Sequence, residues 1–245
     1  MQWLKIYDRN DDYCKMVDKY QVRQYIAEKI GIEYLIPCLG MWKSADEIDY
    51  ESLPNKFVLK CTHDSGSVKV CQDKSKFDCN TVNAFLNKRL KQGTFYYGRE
   101  WPYKDLKPHI IAEQYLIDDE TQDLRDYKIH CFNGVPKVVL VCSERHKSGL
   151  KEDWFTIEWD HLPIHRPTHM NNFLGIKKPV HFDDMLRIAE ILSQGIPFVR
   201  IDFYEVNGKV YFSEITFFPT SGFTAFIPDE YDKVFGDWIQ LPAVK

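Results

Sequence analysis

Several features are missing from this 245-residue sequence, and each absence removes a class of protein. No apolar run approaches the roughly 20 residues needed to cross a bilayer, and the N-terminus lacks the basic-then-apolar pattern of a signal peptide. The seven cysteines show no CxxC spacing, which favours reduced thiols over a disulfide framework. We therefore expect a cytoplasmic protein without a transmembrane segment.

Two familiar phosphate-binding signatures, Walker A and GxGxxG, are also absent. The formal net charge is -4, from 36 acidic and 32 basic residues, so no global positive field attracts nucleic acid. Any polyanion must therefore be bound locally. The 44% hydrophobic content is ordinary for a globular protein, and 245 residues suffice for one large domain or two lobes.

The strongest local signal is a predicted hairpin near the C-terminal end of the chain. Two runs rich in β-branched and aromatic residues, 198–204 and 210–216, flank an Asn-Gly dipeptide, which is typical of a two-residue hairpin turn. Arg200 and Asp202 share one face of the first strand because side chains alternate along a strand. We expect Glu214, on the second strand, to lie beside Asp202.

Two carboxylates that point at one spot repel each other unless a cation lies between them. Mg²⁺ is commonly held by one or two carboxylates together with substrate phosphates, and Arg200 would add positive charge against the same phosphate. The alternative is a surface hairpin whose acids are solvated. The apolar character of both runs, and the constrained loop containing Pro219 and Gly222, favour the metal site.

A second candidate site is predicted where a strand at 57–61 meets a Gly/Ser loop at 62–67. Another strand, 68–71, follows the loop. Successive backbone N–H groups of such a loop can bind an anion, and Lys60 supplies a point charge, which suits a nucleoside triphosphate. The alternative is a plain hairpin with an exposed Lys60.

The remaining pattern alternates helices with strands. Apolar spacing predicts a helix from about Asn80 to Lys91 and another that starts near the N-cap candidate Asp183 and ends at Gly195. Strands are predicted at 110–116 and in a second Asn-Gly hairpin at 127–142.

The order of these parts resembles the ATP-grasp fold, an α+β architecture in which two lobes with antiparallel sheets clamp ATP. More narrowly, the segments 18–25, 53–60, 126–128 and 132–134 resemble the TupA-like branch, which is named for teichuronopeptide biosynthesis. The likeness spans about Gln2 to Pro219. The motifs are individually weak, but their order is specific. The N-terminal lobe is expected to be shortened, with part of an acceptor site missing.

The resemblance implies three parts of the chain. We predict an N-terminal helical and linker element at 1–55, a small lobe with the phosphate loop at 56–116, and a large lobe with the metal-binding hairpin at 117–245.

The resemblance also assigns roles toward the phosphates of ATP. Lys60 would contact the α- and β-phosphates. Ser65, Gly66 and Ser67 would cover the phosphates as a flexible lid. Lys128 has no firm counterpart in the broader fold and is assigned to the phosphate or to the substrate.

The rest of the nucleotide would be bound by four further residues. Glu113 would accept a hydrogen bond from the adenine amino group, while the backbone of Tyr115 and Leu116 would read the edge of the ring. Asp126 would hold the ribose hydroxyls.

The metal and phosphoryl-transfer groups come from the predicted hairpin. Asp202 and Glu214 would bridge Mg²⁺, and Arg200 would stabilise the transferring phosphoryl group. The broad fold usually carries asparagine two residues after the metal glutamate, and here that residue is Thr216. A hydroxyl can still ligate Mg²⁺ or orient a water, with a different number of ions as a consequence.

The resemblance implies an ATP-dependent carboxylate–amine ligase that forms an amide through an acylphosphate. Its carboxylate would belong to a uronic acid or an amino acid in cell-surface polysaccharide synthesis, free or linked to a nucleotide or lipid. Arg145 is the candidate clamp for that carboxylate, because its planar fork matches two oxygens. Two alternatives stay open: a kinase acting on a sugar or polyol hydroxyl, and a nucleotide-binding protein without turnover.

Overall fold

The computed structural model describes residues 1–145, 149–167, 171 and 175–243. The chain divides into two compact units. Unit 1 comprises Met1–Asp8, Ile26–Leu35 and Ile117–Lys245, and unit 2 comprises Arg9–Tyr25 and Ile36–Leu116. Residues 1–55 thus contribute to both units.

Seven helices and ten strands are found in the described part of the chain. The helices are α1 Gln2–Tyr7, α2 Asp12–Val17, α3 Val22–Lys29, α4 Cys79–Leu90, α5 Phe95–Gly98, α6 Phe182–Ser193 and α7 Glu230–Asp237. The strands are β1 Cys38–Trp42, β2 Phe57–Cys61, β3 Lys69–Cys71, β4 Ile110–Gln114, β5 Asp126–Phe132, β6 Val135–Ser143, β7 Lys151–Thr156, β8 His161–Leu162, β9 Phe198–Val206 and β10 Lys209–Thr216. The longest described helices have 12 residues, and none has the length and apolar character to cross a membrane.

Unit 2 is built on a four-stranded antiparallel sheet with the strand order β1-β4-β2-β3. The N-cap of helix α4 is Asp78, whose side chain accepts a hydrogen bond from the Thr81 backbone N–H. This is the usual way to satisfy a free donor at a helix start. Val82 and Leu86 of α4 join Phe57 and Leu59 of β2 in the hydrophobic core.

Unit 1 is built on a six-stranded antiparallel sheet with the strand order β10-β9-β5-β6-β7-β8. Helix α6 packs on one face of it through a buried stripe that includes Met185, Ile188 and Leu192. The predicted N-cap of this helix is wrong. His181 precedes the first helical residue, and Asp183 lies inside the first turn, where a carboxylate still interacts favourably with the helix dipole.

The predicted hairpin at 198–216 is confirmed, but its register contains a feature that the sequence analysis missed. Phe212 pairs with Phe203, whereas the next pairing joins Glu214 to Asp202, so Ser213 forms a bulge. In an unbroken ladder Asp202 would face Ser213, and Glu214 would point to the opposite face with Ile201. The bulge therefore brings the two carboxylates together, since an extra residue reverses the alternation.

Candidate functional site

The charged centre of unit 2 lies on neighbouring strands β2 and β4. Lys60 Nζ lies 2.6 Å from Glu113 Oε2, and Arg23 Nη1 lies 3.8 Å from Glu113 Oε1. Lys60 and Glu113 are 8% and 6% exposed, so Lys60 does not have the exposed position of the plain-hairpin alternative. A buried charge of either sign is tolerated here because its partner lies at hydrogen-bond distance.

The Gly/Ser loop that follows β2 is fixed by its own polar contacts. Asp64 accepts hydrogen bonds from Arg89 Nε at 2.7 Å and from the Ser67 hydroxyl at 2.5 Å. The Ser67 hydroxyl in turn accepts from the Cys61 backbone N–H at 2.8 Å. Ser67 is therefore buried and bonded within the loop, whereas Ser65 and Gly66 are exposed.

Two further cations hold the backbone of this loop. Lys19 Nζ donates to the Asp64 carbonyl at 2.6 Å, and Arg89 Nη2 donates to the Ser65 carbonyl at 2.8 Å. Gly66 has φ +90, a backbone conformation that L side chains rarely adopt. The exposed tip of the loop thus sits on a fixed base.

Cys61, His63 and Asp64 form a buried group with metal-ligand chemistry, each with a ligand atom within 4.8 Å of the others. Both Asp64 oxygens are already bonded, one to Arg89 and one to Ser67. Burial, with a smaller contribution from Asp64, raises the pKa of the Cys61 thiol to about 11. A metal needs the thiolate, so this group is better explained as part of the loop's support.

Tyr115 and Leu116 directly follow β4, which ends at Gln114. Leu116 is buried, and the Tyr115 hydroxyl accepts a hydrogen bond from Gln72 at 3.3 Å. Their backbone therefore continues from the strand that carries Glu113.

The charged centre of unit 1 lies on one face of strands β10, β9 and β5. Glu214 and Thr216 of β10 pair with Asp202 and Arg200 of β9, and Lys128 of β5 pairs with Asp202 from the other side. Directly opposite residues of antiparallel strands share a face. All five side chains therefore project from the same side of the sheet.

One nitrogen lies at the centre of this group. Arg200 Nη2 donates to Asp202 Oδ2 at 2.7 Å, to Glu214 Oε1 at 2.9 Å and to Thr216 Oγ1 at 3.1 Å. The three residues predicted to bind Mg²⁺ thus each place one oxygen around a single cationic atom. An all-oxygen donor set is what Mg²⁺ requires, so the residues present fit this ion, including Thr216.

Asp202 is fully buried between two cations. Arg200 donates to both of its oxygens, each at 2.7 Å, and Lys128 Nζ lies 2.5 Å from Oδ2. Burial raises the pKa of the Asp202 carboxyl above its usual value, although Arg200 and Lys128 oppose this shift. The carboxylate form is the one that matches its surroundings, because a neutral Asp202 would leave both buried cations without their main partner.

The cations remain charged for the same reason. Burial lowers the pKa of Lys128, but Asp126 and Asp202 more than offset this, so its pKa lies above the usual value. Burial also lowers the pKa of Arg200, and Asp202 and Glu214 raise it above its usual value. Lys128 and Arg200 are therefore both cations at neutral pH.

Asp126 and Arg145 lie at the edge of the network. Asp126 Oδ2 lies 3.3 Å from Lys128 Nζ and 3.2 Å from Arg145 Nη2, while its Oδ1 is buried and has no hydrogen-bond partner among the residues that the structure describes. Arg145 is half-exposed, with 47% of its side chain accessible. An orphaned buried acceptor is costly unless a ligand completes it.

The loop after β10 is held in an unusual conformation. Thr220 and Ser221 have φ values of 49 and 55, in the left-handed region. Gln2 of α1 donates to the carbonyls of Ser221 and Gly222, and Lys5 donates to the Ser221 carbonyl at 3.0 Å. Such backbone strain concentrates at functional sites and persists where neighbouring contacts enforce it.

Residues 1–240 match a family model described as TupA-like ATPgrasp. The protein is therefore of the ATP-grasp class. Within that class, the chain belongs to the TupA-like ATP-grasp family, which confirms the resemblance and the predicted α+β fold with antiparallel sheets. No curated protein matches the sequence.

Solved structures of ligases show a remote likeness. D-alanine–D-alanine ligase from Bacillus anthracis complexed with ATP is 17% identical with a TM-score of 0.49, over 91% of this chain and 64% of that one. N5-carboxyaminoimidazole synthetase from Staphylococcus aureus complexed with ADP is 12% identical with a TM-score of 0.46, over 82% of this chain and 44% of that one. The chain thus spans less than two thirds of either ligase.

Sequence reasoning missed several parts of these sites. Arg23 and Arg89 were not linked to Glu113 and Asp64, although each now bonds its acid. The two residues of each pair are far apart in the sequence, and only the folded unit brings them together, so the sequence alone does not show the pairing. Apolar periodicity places Arg23 and Arg89 on helices, α3 and α4, but it does not indicate which acid each arginine meets.

Proposed function

We propose that this protein is an ATP- and Mg²⁺-dependent carboxylate–amine ligase. The observation that carries the proposal is the convergence of one oxygen each from Asp202, Glu214 and Thr216 on Arg200 Nη2. Three oxygens gathered around a positive charge on a buried sheet face suit a hard divalent cation. Membership of the ATP-grasp class supports ATP as the phosphoryl donor.

Unit 2 supplies the groups proposed to bind the nucleotide. Lys60 would contact the α- and β-phosphates, and the exposed tip at Ser65 and Gly66 would cover them with backbone N–H groups. The buried Ser67 hydroxyl is bonded to Asp64, so we assign Ser67 to shaping this lid. Glu113 would accept from the adenine amino group, with the backbone of Tyr115 and Leu116 at the ring edge.

Unit 1 supplies the groups proposed to act on the ribose and the reacting phosphate. Asp126 Oδ1, a buried acceptor that no described residue satisfies, suits a ribose hydroxyl. Lys128 and Arg200 would stabilise the phosphoryl group, since fixed cations in a water-poor site lower the barrier to phosphoryl transfer. Bound Mg²⁺, held by Asp202, Glu214 and Thr216, supplies charge neutralisation of the phosphates.

The proposed reaction has two steps. A carboxylate oxygen attacks the γ-phosphorus, the bond to the bridging oxygen of ADP breaks, and ADP leaves. The amine nitrogen then attacks the acyl carbon, the carbon–oxygen bond to phosphate breaks, and the amine gives up a proton to solvent. This chemistry requires positioning and charge neutralisation rather than a protein nucleophile.

The wider setting is also a proposal. As the resemblance to the TupA-like branch implies, we propose that the carboxylate belongs to a uronic acid or an amino acid of a cell-surface polysaccharide. We propose a cytoplasmic location, where ATP is available, and the seven cysteines, all free thiols, are compatible with a reducing compartment. Arg145 stays a candidate contact for the acid, although its present partner is Asp126.

The test is an assay of the full chain with ATP, Mg²⁺, amines and a panel of uronic and amino acids, free or nucleotide-linked. We expect ADP release that depends on both an acid and an amine, with an amide product by mass. Glu214→Gln should lower turnover by about 10³-fold, from several kcal/mol of lost charge stabilisation. Glu158→Gln, at an exposed position of the same unit, is the matched control.

ADP release that needs an alcohol and no amine, with a phosphorylated product, would identify a kinase instead. Undiminished turnover in Glu214→Gln would remove the metal assignment. Tight ATP binding without any ADP release across the panel would indicate a binding protein.

A further inference from the structure

The segment 79–99 of unit 2 carries a charge opposite to that of the whole chain. It contains four cations, Lys88, Arg89, Lys91 and Arg99, and no acidic residue, whereas the whole chain has 36 acidic and 32 basic residues. The segment extends from the first residue of α4 to the C-cap of α5. Lys91 and Arg99 are exposed, so part of this charge faces solvent and can attract an anionic partner locally.

Two neighbouring tyrosines, Tyr96 and Tyr97, protrude from the same segment. They are 73% and 81% exposed. Among the described residues, the other large hydrophobic residues of comparable exposure stand singly in the sequence: Ile32 at 74%, Val180 at 86% and Phe223 at 72%. Single exposed hydrophobic residues are normal on a protein surface, whereas a contiguous exposed group is a feature of interaction sites.

We call residues 92–99 the tyrosine turn, and two hydrogen bonds fasten it to one buried residue. The Thr94 hydroxyl donates to the His63 carbonyl at 3.0 Å. His63 Nε2 lies 3.0 Å from the Gln92 carbonyl, which can only accept, so Nε2 carries the proton and donates. Because His63 is buried, the tyrosine turn is anchored from below while its rings face solvent.

Contacts within the tyrosine turn fix one ring and one cation side by side. The ring of Tyr96 packs edge-on against Phe95, with centroids 5.6 Å apart at 71°, and a Cβ at Gly93 would lie only 2.8 Å from the Tyr96 ring. The Arg99 guanidinium lies 5.4 Å from the Phe95 centroid and 5.9 Å from that of Tyr96. The surface is thus ordered before a partner binds, which lowers the entropic cost of binding.

The exposure of the two rings indicates the kind of partner. A residue as exposed as Tyr97 touches little protein, whereas a small-molecule site encloses most of its ligand in a concave pocket. Tyrosines, which have an apolar ring and a polar hydroxyl, are enriched where a membrane meets water. Lysine and arginine beside them attract anionic lipid head groups. The combination therefore matches the surface of an anionic bilayer.

We propose that the tyrosine turn docks this protein on an anionic membrane surface. Tyr96 and Tyr97 enter the head-group region, and Lys91 and Arg99 lie against the lipid phosphates. The binding is peripheral and reversible, because two rings bury far less apolar area than a spanning helix. This role is separate from the proposed ligase reaction, since none of the four residues is assigned to ATP, Mg²⁺ or the acid.

Sedimentation of the full chain with lipid vesicles tests the proposal. One vesicle preparation is phosphatidylcholine alone, and the other is an equal mixture of phosphatidylcholine and the anionic phosphatidylglycerol. We expect binding to the mixed vesicles to be about tenfold tighter than to phosphatidylcholine, and to weaken as added salt screens the exposed charges. Absence of binding to the mixed vesicles, or equal binding to both preparations, would overturn the proposal.

A double variant tests the two rings. Tyr96→Ser/Tyr97→Ser keeps two hydroxyls and removes the apolar surface, and we expect binding to the mixed vesicles to weaken about tenfold. Ile32→Ser is the matched control, because Ile32 is 74% exposed and belongs to unit 1. It should leave vesicle binding unchanged. Equal affinities of the double variant and the control would contradict the role of the rings.

Single variants test the cations. Lys91→Gln and Arg99→Gln should each weaken binding to the mixed vesicles about fivefold. Lys76→Gln makes the same change of charge at a side chain that is 83% exposed and lies outside the segment 79–99, and it should have little effect. Equal losses in all three would show that net charge and not the tyrosine turn determines binding. Circular dichroism shows whether each variant is folded, and Lys91→Gln decides alone if Arg99→Gln is not.

Two further measurements exclude other partners of the tyrosine turn. His63 belongs to the Gly/Ser loop, so we also measure ATP binding. A double variant Tyr96→Ser/Tyr97→Ser that loses ATP affinity and keeps vesicle binding would assign the turn to the nucleotide site instead. Single-stranded RNA also combines phosphates with stacking surfaces. Polyuridylate that binds the wild type more tightly than the mixed vesicles do, and loses affinity in the same double variant, would overturn the membrane assignment.

Discussion

The charged centres of the two units, around Glu113 in unit 2 and around Asp202 in unit 1, differ in the sign of their net charge. In unit 2, Lys60 and Arg23 surround the single carboxylate of Glu113, which leaves a net positive charge. In unit 1, the two cations Lys128 and Arg200 face three carboxylates, and the half-exposed Arg145 reduces this negative excess only from the rim.

The difference is consistent with the ligands proposed for each unit. An excess of fixed cations favours an anion such as a phosphate, and an excess of carboxylates favours a metal cation. The two groups also differ in burial. Asp202 is fully buried, whereas Glu214 keeps a third of its side chain exposed, so the unit 1 network combines a structural carboxylate with an accessible one.

The largest expected effect is on stability, and it concerns the buried Asp202 of the unit 1 network. Asp202→Asn leaves Arg200 and Lys128 without their main carboxylate, and we expect a loss of about 3–5 kcal/mol in the free energy of unfolding. Urea denaturation followed by circular dichroism measures it. In the double variant Asp202→Asn/Lys128→Met one of the unpaired charges is gone, so part of the lost stability should return. Equal stability of the single and double variants would show that the ions are not coupled.

This expectation also shows that Asp202 and Glu214, the two proposed metal ligands, differ in their value as experimental probes. Loss of activity in Asp202→Asn has two explanations, a missing ligand or an unfolded network. Glu214→Gln changes a partly exposed side chain and is the cleaner test of metal binding.

The second prediction concerns the positive group in unit 2. Lys60→Met should weaken ATP binding by about 10- to 100-fold, because a charge-assisted contact of about 1.5–3 kcal/mol is lost. Isothermal titration with an ATP analogue measures it. Lys69→Met is the matched control, since Lys69 lies on the same sheet but stacks 3.9 Å above the Phe85 ring. Equal losses in both variants would mean that general charge and not position determines affinity.

The comparison also shows which features of the two sites could be predicted from the sequence. The hairpin at 198–216 was predictable because its Asn-Gly turn and its apolar runs are local signals. The bulge at Ser213 was not, since no residue there forces it and the turn alone implies an unbroken ladder that separates Asp202 from Glu214. Asp202 and Glu214 are neighbours, as predicted, but they are neighbours because of the bulge, which only the strand register shows.

Long-range partners set the second limit. Lys60 was predicted as a phosphate ligand from the loop that follows it, but its ion pair with Glu113 depends on β4 pairing with β2, 53 positions along the chain. His130, Trp154 and Phe226, whose rings pack together in unit 1, lie on separate segments of the chain and share no motif. Packing brings them together, and periodicity within one segment cannot report that.

The third prediction distinguishes the two serines of the predicted lid. Ser67→Ala removes the acceptor of the buried Cys61 N–H and the donor to Asp64, and we expect a loss of about 2 kcal/mol in stability. Ser65→Ala, at an exposed position, should change stability by less than about 0.5 kcal/mol. Thermal unfolding and hydrogen exchange of the loop measure both. Similar losses would contradict the view that a fixed base supports an exposed tip.

The smallest expected effect lies at the turn of the β9–β10 hairpin. Asp118 accepts hydrogen bonds from the backbone N–H groups of Asn207 and Thr121, at 3.0 and 2.8 Å. The Asn207 bond is the largest cause of a pKa lowered below the usual value for Asp118. Asp118 is partly exposed, so we expect Asp118→Asn to cost only about 1 kcal/mol at pH 7, or roughly 2–4 °C.

The pH dependence of this loss has a definite sign. Because the folded pKa is lower than the unfolded value of about 3.9, the contribution is fully present well above pH 4 and disappears as the pH falls through the folded pKa. Urea denaturation at pH 7 and pH 3 should therefore show a smaller difference between wild type and Asp118→Asn at pH 3. Glu120→Gln, a neighbouring exposed acid, should show no such change. A difference that grows in acid would mean that the Asp118 carboxylate destabilises the fold. The bond from Asn207 to Asp118 would then not stabilise the β9–β10 turn.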